Sequence, residues 1–393
     1  MPRNRIIYQS EALYAGPAPA TGFHFQDANG ARTNDAVAGN NWARISGNLV
    51  KQLQRIQTAN YSFTVDRTDV NQFGQLAAID RVILTNPTVA LDFSYINASL
   101  ANENILGFTI VSGGTDSNIS AISGFLNKTS DERNYFIRTT PEGTDAVGNT
   151  DNTNPNNGVI GIGNAFITSY STEASVGNFP TTTINVEGLN MNFQTGIGTD
   201  GAASSGNFVP AVNPINGLPL TNYYQLPQAL QNVGISNGNT ISALRPGDIT
   251  LSLSNTTAGG ADVNAINIQS YTLSFDLART PIEKLGNKFA FSREIDFPLT
   301  VTLSVDAQVT DMVTGSLANI VANDSTTYEP SITIKSPTDS TLTMAKFKLK
   351  GSRLDSQEFS SDIGANKTVT LTFSTQVGGP QDTTNGLFIN GQF

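Results

Sequence analysis

Two stretches of this chain repeat one another in a single register. Residues 56–95 overlie 268–307 without a gap, at a constant separation (268 − 56 = 212). The pairs Ile56/Ile268, Gln57/Gln269, Ser62/Ser274, Phe63/Phe275, Arg67/Arg279, Thr68/Thr280, Gly74/Gly286, Ala78/Ala290, Arg81/Arg293, Thr88/Thr300, Val89/Val301 and Leu91/Leu303 are identical. Val65/Leu277, Val70/Ile282, Phe73/Leu285 and Phe93/Val305 exchange one apolar residue for another. Apolar positions, a glycine and two arginines in one register over forty residues imply two copies of one unit. The repeat continues with gaps: Thr140-Pro141 answers Ser336-Pro337, and Val176-Gly177 answers Ile363-Gly364 (364 − 177 = 187). The falling offset places extra loops in the first copy, one of them the polar run 148–158.

The repeat reads as β structure. Leu299 to Val309 alternates apolar and polar residues without a break, the period of a strand with one buried and one wet face. Val369 to Ser374 and Leu273 to Leu277 do the same. Tyr61 to Val65 and Val89 to Phe93 are the counterparts in the first copy. One short helix per copy is expected, at Ile119 to Asn127 and at Ser316 to Ala322. A chain of 393 residues suits two domains, each burying its own core. The expected division is 1–195, a connection over 196–239 rich in Gly, Pro and Asn, and 240–393.

Composition narrows the chemistry. Charged residues are 14%, so polarity rests on Asn, Thr, Ser and Gly, which favour turns and strand faces. There is no cysteine and a single histidine, His24, which excludes disulfides, thiolate metal sites and multi-histidine sites. The net charge of −10 opposes tight binding to nucleic acid. The opening Met1 to Tyr8 lacks the apolar run of a secretory leader, and no stretch has the length of a membrane span; the expectation is a soluble chain made in the cytoplasm. No phosphate loop, nucleophile elbow or zinc helix is present in the sequence. The Asp/Asn clusters at Asp27 to Asp35 and Asn149 to Asn157 lack the ligand spacing of a calcium loop. No catalytic residue, metal or cofactor is predicted.

The shared polar residues are the candidate functional ones. Arg67-Thr68 and Arg279-Thr280 close one strand; Arg81 and Arg293 open the next. Between them lie Phe73-Gly74 and Leu285-Gly286. Two readings stay open: these segments reach a neighbouring subunit, or the arginines lie along strand ends and pair locally.

These residues resemble the tail tube (major tail) proteins of long-tailed bacteriophages. The likeness is most specific in the second copy: Arg279-Thr280-Pro281-Ile282, Leu285-Gly286, Phe289 to Arg293, then Phe297-Pro298 and an alternating strand. The closing segment Leu354 to Leu371 and the opening Ile7 to Tyr14 also fit, and the matched stretches cover about half the chain. The first copy departs where Asp69 replaces the proline and where Asn86-Pro87 shifts the aromatic-proline step. The resemblance implies two tandem β-sandwich or half-barrel domains, each with a flanking helix. It implies rings of six such domains, hence a trimer here, stacked into a hollow tube through which DNA is ejected. Implied partners are further copies of the chain, other tail proteins (tape measure, terminator, baseplate or tip) and passing DNA without tight binding, with no membrane. Asp66, Asp92, Asp276 and Asp306 are then candidates for the lumen wall. Arg67, Thr68, Phe73, Gly74, Arg81, Arg279, Thr280, Leu285, Gly286 and Arg293 are candidates for contacts between subunits or rings. Rival readings are a decoration or adhesion protein of tandem β domains, and a secreted carbohydrate-binding module or hydrolase. The last is opposed by a single tryptophan, Trp42, and by scattered aspartates.

Overall fold

A computed structural model describes residues 11–17, 25–26, 32–33, 44–45, 50–113, 118–127, 131–146, 157–195, 210–212, 217, 223–224, 244, 246–252, 257–258, 261–262, 266–290, 292–309, 327–361 and 366–393. The candidate helix at 316–322 lies outside these residues. So does nearly all of the 148–158 loop and of the 196–239 connection.

The described structure is mainly β, with two short α-helices, a 3-10 turn at Pro246–Asp248 and several antiparallel sheets. In chain order its elements begin with β1 (Glu11–Pro17), β2 (Phe25–Gln26), β3 (Arg32–Thr33), β4 (Arg44–Ile45) and β5 (Lys51–Gln52). β6 (Ile56–Thr64), β7 (Thr68–Val70), β8 (Asp80–Val82) and β9 (Thr88–Ile96) follow. Next come α1 (Ala101–Leu106), β10 (Ile110–Ser112), α2 (Ser123–Leu126), β11 (Glu132–Thr139), β12 (Gly158–Ser175), β13 (Thr181–Gly188) and β14 (Asn190–Thr195). β15 (Tyr223–Tyr224), β16 (Ile249–Ser252), β17 (Thr257–Ala258) and β18 (Ala261–Asp262) are short. The chain ends with β19 (Ile266–Asp276), β20 (Arg279–Ile282), β21 (Ser292–Ile295), β22 (Thr300–Val309), β23 (Ser331–Lys335), β24 (Thr343–Lys350), β25 (Arg353–Ser360), β26 (Thr368–Gln376) and β27 (Gly386–Gly391).

The pairings recur at the offsets the sequence carries. β6 pairs β9 with Phe63 opposite Val89, and β19 pairs β22 with Phe275 opposite Val301. Both pairs slip register at the same place, between Ile56 and Thr58 and between Ile268 and Ser270. The residue skipped is Gln57 or Gln269. Each donates its side-chain amide to the carbonyl two residues back, Arg55 (3.1 Å) and Asn267 (3.2 Å). A bulge leaves one residue out of the ladder, and in the first copy the glutamine adds a second hydrogen bond to a carbonyl that already accepts from Ile96 N–H (3.2 Å). β12–β13 and β25–β26 repeat one another at an offset of 187, with bulges between Ile167 and Ser169 and between Leu354 and Ser356 (354 − 167 = 187).

One long sheet results. Its central run is β6-β9-β13-β12-β19-β22-β26-β25, two four-strand sets in the same internal order joined by the β12–β19 pair. A second layer follows the same plan: β1, β11 and β14 flank the first half of β12, while β16, β23 and β27 are arranged around β24. β12 passes unbroken from one set of partners to the other, with Asn164 at φ 51. At the same place in the second half the strand splits into β24 and β25 at Gly351, φ 63. Left-handed backbone suits glycine and, among other residues, asparagine.

The inner face of the long sheet is apolar. Val89, Leu91, Phe93, Ile184, Val186, Tyr170, Leu273, Phe275, Val301, Leu303, Val305, Leu371 and Phe373 are buried in one continuous core with Ile332, Phe347, Leu387 and Ile389 of the second layer. Tyr170 stacks on Phe275 at 5.3 Å between centroids, bridging the two halves.

The predicted helix at 119–127 shrinks to α2, because Ala121 gives its N–H to the Leu387 carbonyl (2.8 Å) and the segment is used to cover β27. α1, which the sequence reading does not anticipate, is six residues long and carries Glu103 into the core. Tyr95 donates to Glu103 Oε1 (2.8 Å), Tyr170 approaches the same oxygen (3.4 Å), and Oε2 has no hydrogen-bond partner. Burial pushes the carboxyl up from 4.5 to about 7, against the opposing pull of the tyrosine hydrogen bonds. The folded chain therefore holds this proton more tightly than the unfolded one. Stability from this group is full below about pH 4.5 and is lost as pH rises through 7, on the order of 3 kcal/mol. Thermal melts are expected to show Glu103→Gln gaining on the natural chain between pH 5 and pH 8. Parallel pH profiles for the two proteins would contradict this.

Candidate assembly surfaces

The outward face of the long sheet alternates with its core face by strand geometry. It carries hydroxyl and amide side chains almost throughout: Thr58, Asn60 and Ser62 on β6, Ser169 and Ser171 on β12, Ser270 and Thr272 on β19, Thr370 and Thr372 on β26. Carboxylates punctuate it at Asp92, Glu173, Glu187, Asp276, Asp306 and Glu358. No Lys or Arg shares the face along β6, β9, β13, β19, β22 and β26 among the described residues. Neighbouring side chains satisfy one another across strands. Asn60 donates to Asp92 (2.8 Å), and Ser270 and Thr370 donate to Asp306 (2.8 and 2.6 Å). Thr58 meets Ser94 (2.7 Å) at the position equivalent to Ser270 and Asp306.

Of the predicted wall residues, Asp92, Asp276 and Asp306 share this face; Asp66 lies exposed just beyond the end of β6. Glu173, Glu187 and Glu358 were not anticipated. The strands of Glu173 and Glu358 contain bulges, which shift the alternation by one residue and hide the period; β13, which carries Glu187, alternates cleanly over Thr183 to Glu187.

The two linking segments are hairpins of one design. β7 pairs β8 with Thr68 opposite Val82, and β20 pairs β21 with Thr280 opposite Glu294. The apex turns are also equivalent: Gln75 N–H bonds the Gln72 carbonyl (3.2 Å), and Asn287 N–H the Lys284 carbonyl (3.1 Å). Gly74 and Gly286 sit in these turns at φ 86 and 92, with open space around them, which explains a glycine shared by both copies. Phe73, Leu76 and Leu285 stand fully exposed at 104%, 109% and 100% of their reference areas. Ile79, Leu84 and Phe297 are exposed behind them. Asn86 donates to Glu283 (2.6 Å), tying the two hairpins together.

The shared arginines divide by copy. Arg279 lies in the interior, its guanidinium in a two-pronged ion pair with Asp131, one prong 2.9 Å, and 4.8 Å above the Phe166 ring. Arg293 is buried and pairs with Glu187 (2.7 Å). Both thus bind the second set of strands to the first within one chain. Arg67 and Arg81 are exposed, Arg81 pairing with Asp69 (2.6 Å). Thr280 bonds Asp296 within its own hairpin (2.9 Å), and Thr68 is exposed. Asp131 was not foreseen, because nothing in the sequence places a residue 148 positions away beside Arg279.

Both lateral edges of the central run end in unpaired strands, β6 and β25, among the described residues. Phe63 on β6 and Phe359 on β25 are exposed there. Among the described residues no cluster of His, Cys, Asp or Glu is arranged to hold a metal. No described helix is long and apolar enough to cross a membrane.

No protein-family model and no curated protein sequence matches the chain. A solved structure, the six-fold symmetrised cryo-EM structure of the anti-feeding prophage (AFP) baseplate, contains a chain that aligns with 36% of this one and 91% of its own length. The identity is 12% and the TM-score 0.22, an overlap too slight to carry a conclusion about this chain.

Proposed function

We propose that this chain is a structural, non-enzymatic component of a phage-type tail, a tail tube protein with two tandem tube domains. The units are 1–195 and 240–393, connected over 196–239. Three chains would form a pseudo-hexameric ring, and rings would stack into the hollow tube that DNA traverses into the host. The observation that carries this reading is the long sheet: two four-strand sets in one order, backed by a core, with a broad polar face that bears carboxylates and nearly no cations. A wall of hydroxyls and carboxylates stays hydrated and repels a polyanion, which passage without sticking requires. Exposed apolar hairpins and unpaired edges are liabilities in a monomer and are covered in an assembly.

Negative-stain electron microscopy of the purified chain, with its solution mass, tests the reading. Hollow rings or tubes built from trimers, six-lobed around the hole, are expected. A monomer at all concentrations, or closed trimers that never stack, would move the reading to a decoration or adhesion protein. A phage carrying Asp276→Lys and Asp306→Lys is expected to build intact tails and release DNA more slowly. Normal release would remove these residues from the wall.

A further inference from the structure

We infer that the joint between neighbouring chains copies, strand for strand and in the same register, the joint inside each chain. This rests on the ring reading above and adds which edges meet and which residues face each other.

The argument starts from the β12–β19 pair, where the first set of strands meets the second. Ser171 lies opposite Ser274, Tyr170 opposite Phe275 and Thr172 opposite Leu273. By the repeat, β25 is the second-copy counterpart of β12, and β6 the first-copy counterpart of β19. These two strands are the unpaired ends of the central run. One chain therefore presents at its two edges the two halves of a contact that it already makes internally. Adding 187 to each β12 position and subtracting 212 from each β19 position gives the register. Ser62 faces Glu358, Phe63 faces Gln357 and Tyr61 faces Phe359 of a second copy. The contact is head-to-tail, and a head-to-tail contact closes into a ring when its rotation allows.

Three observations support a second copy as the occupant. The edges are long, nine and eight residues, and neither β6 nor β25 carries the proline or lysine with which solitary edges are usually blunted. The core-facing residues at the edges are exposed where their internal counterparts are buried: Phe63 is 60% exposed and Phe275 3%. In the derived register Phe63 and Phe359 are diagonal neighbours on one face, within reach of two aromatic rings. The outer joint also differs from the inner one. Gln357 stands where the inner joint has Tyr170, so no aromatic stack forms there. Arg67 is exposed, whereas its counterpart Arg279 is clamped to Asp131. The outer joint is therefore the looser copy, suited to a chain that stays separate until it assembles.

The chain has no cysteine, so introduced pairs report cleanly. Ser62→Cys with Glu358→Cys in one chain, oxidised under assembly conditions, is expected to shift the monomer band into covalent dimers and trimers. Ser62→Cys with Ser356→Cys, or with Ser360→Cys, places the thiols at diagonal positions and is expected to leave most chains monomeric. Hydrogen exchange on the unmodified protein gives an independent reading: amides of β6 and β25 are expected to become protected on assembly. Rings with both edges still exchanging, or cross-linking no better in register than two residues away, would overturn this joint and leave the tube reading intact. A chain that never associates would remove both.

Discussion

Replacing Arg279 by alanine is expected to destabilise the folded chain by about 3–5 kcal/mol, because it leaves the Asp131 carboxylate buried without its cation. The side chains of Arg279 and Asp131 are 3% and 8% exposed. The guanidinium also reaches the carbonyls of Ile167 and Arg293 (both 3.4 Å) and lies on Phe166. Its loss takes a two-pronged partner from a buried acid and opens the seam where the two sets of strands meet. Arg279→Met combined with Asp131→Leu is expected to recover much of the loss, since an apolar pair of similar bulk removes the buried carboxylate along with the ion pair. Arg67→Ala changes the same residue of the repeat on an exposed surface and is expected to move folding stability by less than about 0.5 kcal/mol. Denaturant unfolding of the four proteins measures all three differences. Equal costs for Arg67→Ala and Arg279→Ala would refute the assignment of Arg279 to the internal seam.

The second large effect concerns the hairpin apices. Phe73→Asp, Leu76→Asp and Leu285→Asp in one chain are expected to leave folding nearly unchanged, because all three side chains already stand in solvent. In a stacked tube each would be buried, and burial of a side chain of this size is worth roughly 1.5–3 kcal/mol. The loss repeats at every subunit between two rings, so elongation is expected to fail while rings still form. Gly74→Val and Gly286→Val act differently: they strain a turn at φ 86 and 92 without adding charge. Electron microscopy and sedimentation separate rings from tubes. Full-length tubes from the triple aspartate variant would show that the apices do not carry the stacking contact.

Much of the β framework is legible in the sequence, for a specific reason. The strands at 88–96, 300–309 and 368–376 alternate without interruption, so their period survives in the letters. β12 and β25 do not show it, because each contains a bulge, and β12 serves two layers in turn. α1 is too short to show a helical period, and its burial of Glu103 follows from the tyrosines that surround it in space. The bulges also hide the face of Glu173 and Glu358, whereas Glu187 sits on β13, whose alternation is regular. Asp131 was missed because a long-range partner leaves no local signal.

The sequence by itself determined that one unit occurs twice and where its register lies. Local patterning is set by side-chain period, and a repeat preserves that period residue by residue. It could not determine that equivalent residues live differently. Arg67 and Arg279 hold the same place in the repeat, each followed by threonine, and Phe63 and Phe275 do likewise, each preceded by serine. One member of each pair lies at the seam between the two sets of strands and the other at a free edge. Burial and charge pairing depend on what packs across a strand from elsewhere in the chain, and only the tertiary structure decides that.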